Sequence, residues 1–146
     1  MRTKTAQWFE VIIRFDKMMD NGMLKQVSEQ YVVEALSFTE AEARIIKESE
    51  PYISGDFVVD KIVRAPFREA WLSDSDSDDR YFKAKLQFIT LDEKTQKEKK
   101  QTVCYLVQAK DFDGAKKAVE DTMNTTMIDY VIASITETRI LDVFEV

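Results

Sequence analysis

The chain has 146 residues, 45% of them hydrophobic and 33% charged, enough to bury a sizeable core and too apolar for a disordered segment. Its net charge of −6 disfavours a general nucleic-acid binder, which needs lysine and arginine in excess on one face. There is no histidine, which removes the commonest general base, zinc ligand and pH switch together, and the single cysteine, Cys104, excludes an internal disulfide.

No apolar run approaches the roughly 20 residues that cross a bilayer. Met1–Trp8 leads directly into a strand pattern, so the expected location is cytoplasmic, with no membrane contact. Residues 8–15 read as a strand with Phe9, Val11, Ile13 and Phe15 on one face and Trp8 and Ile12 on the other. Asn21-Gly22 predicts a tight hairpin turn with positive φ at both central positions, and residues 27–35 return with Tyr31, Val33 and Ala35 on one face. Ser37-Phe38-Thr39-Glu40 is a capping-box pattern. A helix is expected from Phe38 to about Glu48, with Phe38, Ala41 and Ile45 inward, ended by Pro51 and Gly55. Residues 57–63 and 67–72 are two further strands, separated at Ala65-Pro66 because proline cannot donate to a ladder.

Ser73–Asp79 (SDSDSDD) reads as an acidic, self-repelling linker, after which the same programme repeats. Residues 81–89 alternate with Phe82, Ala84, Leu86 and Phe88 inward; Leu91–Gln101 is a charged hairpin tip; residues 102–109 return. Asp111 stands as an N-cap before a helix with Phe112, Ala115, Ala118 and Val119 on its apolar stripe, and residues 130–135 and 140–144 close the half as strands. An offset of 73 pairs the outer strands of the halves, while 74 pairs Tyr31–Ala43 with Tyr105–Lys117. The expected architecture is therefore α+β: a tandem duplication of a β-β-α-β-β unit, each an antiparallel sheet with one packed helix, related by a pseudo-two-fold. Its divisions are residues 1–73, an acidic linker at 74–79, and residues 80–146. Halves of this size have marginal cores, so they are expected to pack as one body.

The stretches QWFEVIIRFDKMMDNGMLKQVSEQYVVEALSFTEAEARI, SGDFVVDKIVRAPF, RYFKAKLQFITLDEKTQKEKK and DYVIASITETRILDVF together cover nearly the whole chain. In these the chain resembles a small family of unknown function from anaerobic gut bacteria and their phages. The resemblance implies size, a prokaryotic or phage setting and a cytoplasmic location, and carries over no site residues.

The remaining residues offer little chemistry. Asp74-x-Asp76-x-Asp78 has the spacing that opens a calcium loop, yet Asp79 stands where glycine belongs and Lys85 where glutamate belongs, so a solvated linker is the better reading. Cys104 has no histidine to activate it. No phosphate-cradling glycine pattern occurs, and Glu29, Glu34, Asp56, Asp60, Glu69, Glu137 and Asp142 show no pairing in sequence. No catalytic residue, cofactor or metal is expected. The candidate contact surface is Trp8 with Met18, Met19 and Met23 of the first tip and Lys94, Lys97, Lys99 and Lys100 of the second. The expected function is a non-catalytic binding or regulatory protein, of phage or bacterial origin, acting through protein–protein contact with a host or phage protein. The alternatives are a small-molecule or nucleotide-binding protein with its ligand between the lobes, and an acidic decoy for a nucleic-acid-binding protein. Nucleic acid itself is an unfavoured partner, and a homo-oligomer is compatible with the sequence.

Overall fold

Alternation and capping place the elements close to where the sequence predicts them. In the computed structural model, which describes residues 1–146, they are β1 (Arg2–Lys4), β2 (Trp8–Met18), β3 (Leu24–Glu34), α1 (Phe38–Ser49), β4 (Phe57–Arg64), β5 (Phe67–Leu72), β6 (Arg80–Leu91), β7 (Glu98–Ala109), α2 (Phe112–Met123), β8 (Asp129–Glu137) and β9 (Ile140–Phe144). The protein is α+β, with two helices and two mixed sheets ordered β1-β5-β7-β6-β8 and β4-β2-β3-β9. Ser37 Oγ accepts the Glu40 N–H at 3.1 Å, and Glu40 reaches back to the Leu36 N–H at 3.0 Å. Asp111 caps α2 through the Gly114 N–H at 2.7 Å.

The division of the chain is not the expected one. Two compact units form, one from residues 1–5 with 66–138 and one from residues 6–65 with 139–146. β5 leaves its own half to pair with β7, and β9 leaves its half to pair with β3, both in parallel. The sheets are therefore mixed rather than antiparallel, and no boundary falls at 74–79. The reason is the length of the connections. β3 and β4 both run antiparallel to β2, and β9 pairs with β3 in parallel, so the strand beside β3 is parallel to β4. A strand joined to β4 by Ala65-Pro66 alone cannot run parallel to it in the same sheet, because that needs a crossover of a dozen or more residues. Nor does the pair form a tight hairpin: neither residue has positive φ, and the Ala65 N–H is taken by the Trp8 carbonyl at 2.8 Å. The chain passes to the other sheet instead.

Local expectations are corrected at three turns. Only Gly22, not Asn21, has positive φ; Met19 bonds Gly22 and Met23 around a three-residue loop. The second tip is shorter than expected, because the ladder continues to Leu91↔Glu98 and leaves a four-residue loop between Asp92 and Lys97. That extra residue is the change of offset from 73 to 74. Ser73–Asp79 is solvated as expected, but it is a hydrogen-bonded turn inside one unit and not a linker between two. Ser73 Oγ meets Asp78 Oδ2 at 2.5 Å, and the Gln108 side chain takes the Ser73 N–H and donates to the Asp78 carbonyl.

In the five-stranded unit Trp71, Phe82, Leu86, Tyr105 and Val107 pack under Ala115, Val119 and Met123 of α2. In the four-stranded unit Val11, Ile13 and Val33 pack under Ile45, with Phe9, Ala35 and Ala41 beside them. The buried residues of α1 are Ala41, Ile45 and Ser49, and those of α2 are Ala115, Val119 and Met123. Phe38 and Phe112, expected inward, are half exposed at the helix starts; Phe38 stands edge-on to Phe9 at 4.9 Å, with Arg64 over both rings.

Candidate functional site

Where α2 ends in buried Met123, α1 ends in Ser49, and that replacement opens the four-stranded unit. A groove of about 390 Å³ lies between the end of α1, β3 and β9. Tyr31 and Phe144 stack on one side of it, 5.4 Å between ring centroids, while Tyr52 and Ile53 form the other. Glu29, Glu48 and Asp142 carry carboxylates into the lining. Ser49 is the one buried polar residue of the protein, 5% exposed, and its hydroxyl makes no hydrogen bond within the chain. Its carbonyl accepts the N–H groups of Tyr52 and Ile53, folding the chain after α1 over the groove.

The electrostatics are anionic. The Tyr31 hydroxyl donates to Glu29 at 3.3 Å. Its pKa is pushed up to about 12, first by burial, then by the Glu29 charge and hydrogen bond and by Asp142. The C-terminal end of α1, where the dipole is negative, adds to this. Glu48 faces Arg44 at 4.0 Å; Glu29 forms no ion pair, although Lys17 and Arg139 line the clefts on either side of it.

The five-stranded unit holds the same frame with different contents. Tyr105 stacks on Trp71 at 4.4 Å as Tyr31 stacks on Phe144. Glu29 and Ser49 correspond to Val103 and Met123, both buried there. β9 bulges at Leu141 and β5 at Arg68. Leu141 lines the groove, whereas at Tyr105 burial raises the pKa and the Arg68 guanidinium nearby only partly offsets the rise. The acid matching Asp142 is Glu69, which accepts from Thr5 and from the Trp71 indole. One frame is filled and neutralised; the other is open and acidic.

The residues singled out from sequence are only partly brought together. Met18, Met19 and Met23 share the first tip, and Met18 and Met23 are 69% and 67% exposed beside exposed Leu24. Trp8 is not part of any exposed surface. It is 3% exposed and its indole N–H has no partner, and its backbone is held in the sheet by the Ala65 N–H, which donates to the Trp8 carbonyl. Lys94, Lys97, Lys99 and Lys100 are exposed on the other unit. Lys99 pairs with Asp92 at 3.3 Å, and Asp92 is held below the usual carboxylate range chiefly by the Lys94 N–H, so part of this charge is spent within the loop. No group of histidine, cysteine or carboxylate side chains in the chain could hold a metal ion, and no helix is long and apolar enough to cross a membrane. Sequence reasoning missed Ser49 and Tyr52. The signal for Ser49 was a serine in the helix position that holds methionine in the second half.

These features define a class: a two-unit α+β protein whose halves exchange an edge strand and whose four-stranded unit carries an open acidic groove. The chain belongs to the DUF4494 family, a domain of unknown function, whose model matches residues 7–146. No curated protein and no solved structure matches it.

Proposed function

We propose that the protein is a non-catalytic binding or regulatory protein that acts through protein–protein contact at the β2–β3 tip. The observation that carries this is the exposure of Met18, Met23 and Leu24 at one end of the four-stranded unit. Met18 and Leu24 also line a cleft of about 440 Å³ with Phe15 and Tyr52, so the exposed apolar surface is concave and adaptable. A bacterial or phage setting belongs to the same reading. So does a tandem duplication, which the matching registers support: Val11↔Ile62 and Tyr31↔Asp142 in one sheet recur as Ala84↔Ile135 and Tyr105↔Glu69 in the other. The test is capture from host lysate by the wild-type chain and by the M18S/M23S/L24S variant. A polypeptide held by the first and lost by the second supports the reading. Equal capture by both, or recovery of a metabolite alone, overturns it.

A further inference from the structure

The groove beside α1 combines features that favour one kind of ligand. Its carboxylates, Glu29, Glu48 and Asp142, line one cavity without converging on a point that could hold a metal ion. Tyr31, Phe144 and Tyr52 supply ring surface to the same cavity. Ser49, 95% buried by its 5% exposure, presents a hydroxyl with no partner in the protein. The volume of about 390 Å³ lies at the small end of ligand sites. Carboxylates spread among aromatic rings, at the negative end of a helix, suit a cation too large to be a bare metal.

We propose that this groove binds an organic cation, an alkylammonium or guanidinium group, with Glu29 and Ser49 receiving its N–H donors and Tyr31 and Phe144 facing its apolar stem. The five-stranded unit provides the internal contrast. There Val103 and Met123 replace Glu29 and Ser49, and Arg68 supplies a guanidinium from within the chain, over the Phe88 ring and near Tyr105. The four-stranded unit has Leu141 at the Arg68 position, so that bulge brings no guanidinium to Tyr31. The group could come from a lysine or arginine side chain of a polypeptide or from a free amine. The inference stands on the groove and not on the hairpin tip, so it goes beyond the protein-contact reading and can fail without it.

The experiment is an NMR titration of the full chain with n-butylammonium and with methylguanidinium, set against neutral n-butanol. Saturable shifts of the Tyr31, Tyr52 and Phe144 ring resonances, with Tyr105 unmoved, are expected for the cations alone. Glu29→Gln, and Glu29→Val with Ser49→Met, should weaken binding at least about tenfold, since each removes a charge-assisted hydrogen bond. The double variant installs the residues that the other unit already buries, and unchanged Phe9 and Phe38 ring signals, from the same unit but outside the groove, report that its fold survives. Absence of saturable shifts, equal shifts with n-butanol, or unchanged affinity in Glu29→Gln overturns the assignment. Nα-acetyl-lysine methylamide and spermidine then separate the sources: tighter binding of the first supports a polypeptide side chain, of the second a free polyamine. The M18S/M23S/L24S variant should keep its amine affinity, so loss of protein capture and loss of cation binding are read apart.

Discussion

Tyr31 and Tyr105 occupy the same register in their sheets, and each stacks on a ring from a strand that belongs to the other half of the sequence. Their hydroxyls face opposite charges, Glu29 for Tyr31 and Arg68 for Tyr105. A phenol raised from 10.0 to about 12 stays protonated in the folded state while the unfolded chain ionises. The stability this confers is complete below about pH 10 and is lost as pH rises through the folded pKa near 12. Urea midpoints followed from pH 9 to 11 should therefore fall more steeply in the wild type than in Tyr31→Phe; parallel curves would refute the assignment. A second prediction concerns Gln96, whose φ of 59° is the one left-handed backbone outside glycine. Gln96→Gly should raise stability by about 0.5 kcal/mol, after allowing for glycine's greater unfolded entropy. Chemical denaturation reads it directly, and a loss would show that the Gln96 side chain's bond to the Glu93 carbonyl matters more.

At the scale of the element, each helix is 12 residues long and depends on one apolar stripe and one cap. Twelve residues are marginal for an isolated helix, so an orphaned first turn is felt. Ser37→Ala and Asp111→Ala should each cost about 1 kcal/mol, with Asp111 at the upper end because its charge also faces the helix dipole. Equal urea midpoints for wild type and variants would contradict this. Leu141 and Arg68 are the extra residues where β9 and β5 meet their parallel partners. A bulge re-aims a side chain, and here the same device brings Leu141 to the groove lining and exposed Arg68 over the Phe88 ring.

For the whole molecule the consequence is topological. Each sheet needs a strand from the opposite half, with buried Phe67 in β5 and buried Ile140 in β9. Neither residues 1–75 nor residues 76–146 should show a cooperative unfolding transition alone, while an equimolar mixture should recover one. A cooperative transition in either fragment by itself would defeat this reading. Elements and caps were legible from the sequence because alternation, N-caps and turn residues act over a few neighbouring positions. β5 and β9 were placed to within a residue for that reason, at 67–72 and 140–144. Their destination was not read, although the two-residue Ala65-Pro66 link, without glycine or asparagine, already argued against a hairpin. The two sheets offer matching edges, so the pattern of either strand suits both, and only the reach of the chain in space decides between them. The groove belongs to the same category. Glu29, the Ser49–Tyr52 turn and Asp142 come from three separate stretches of the chain and line one groove only when β9 returns beside β3. The sequence by itself determined what each segment becomes; the tertiary structure decided which segments meet, because pairing partners and cavities depend on chain reach and burial rather than on local pattern.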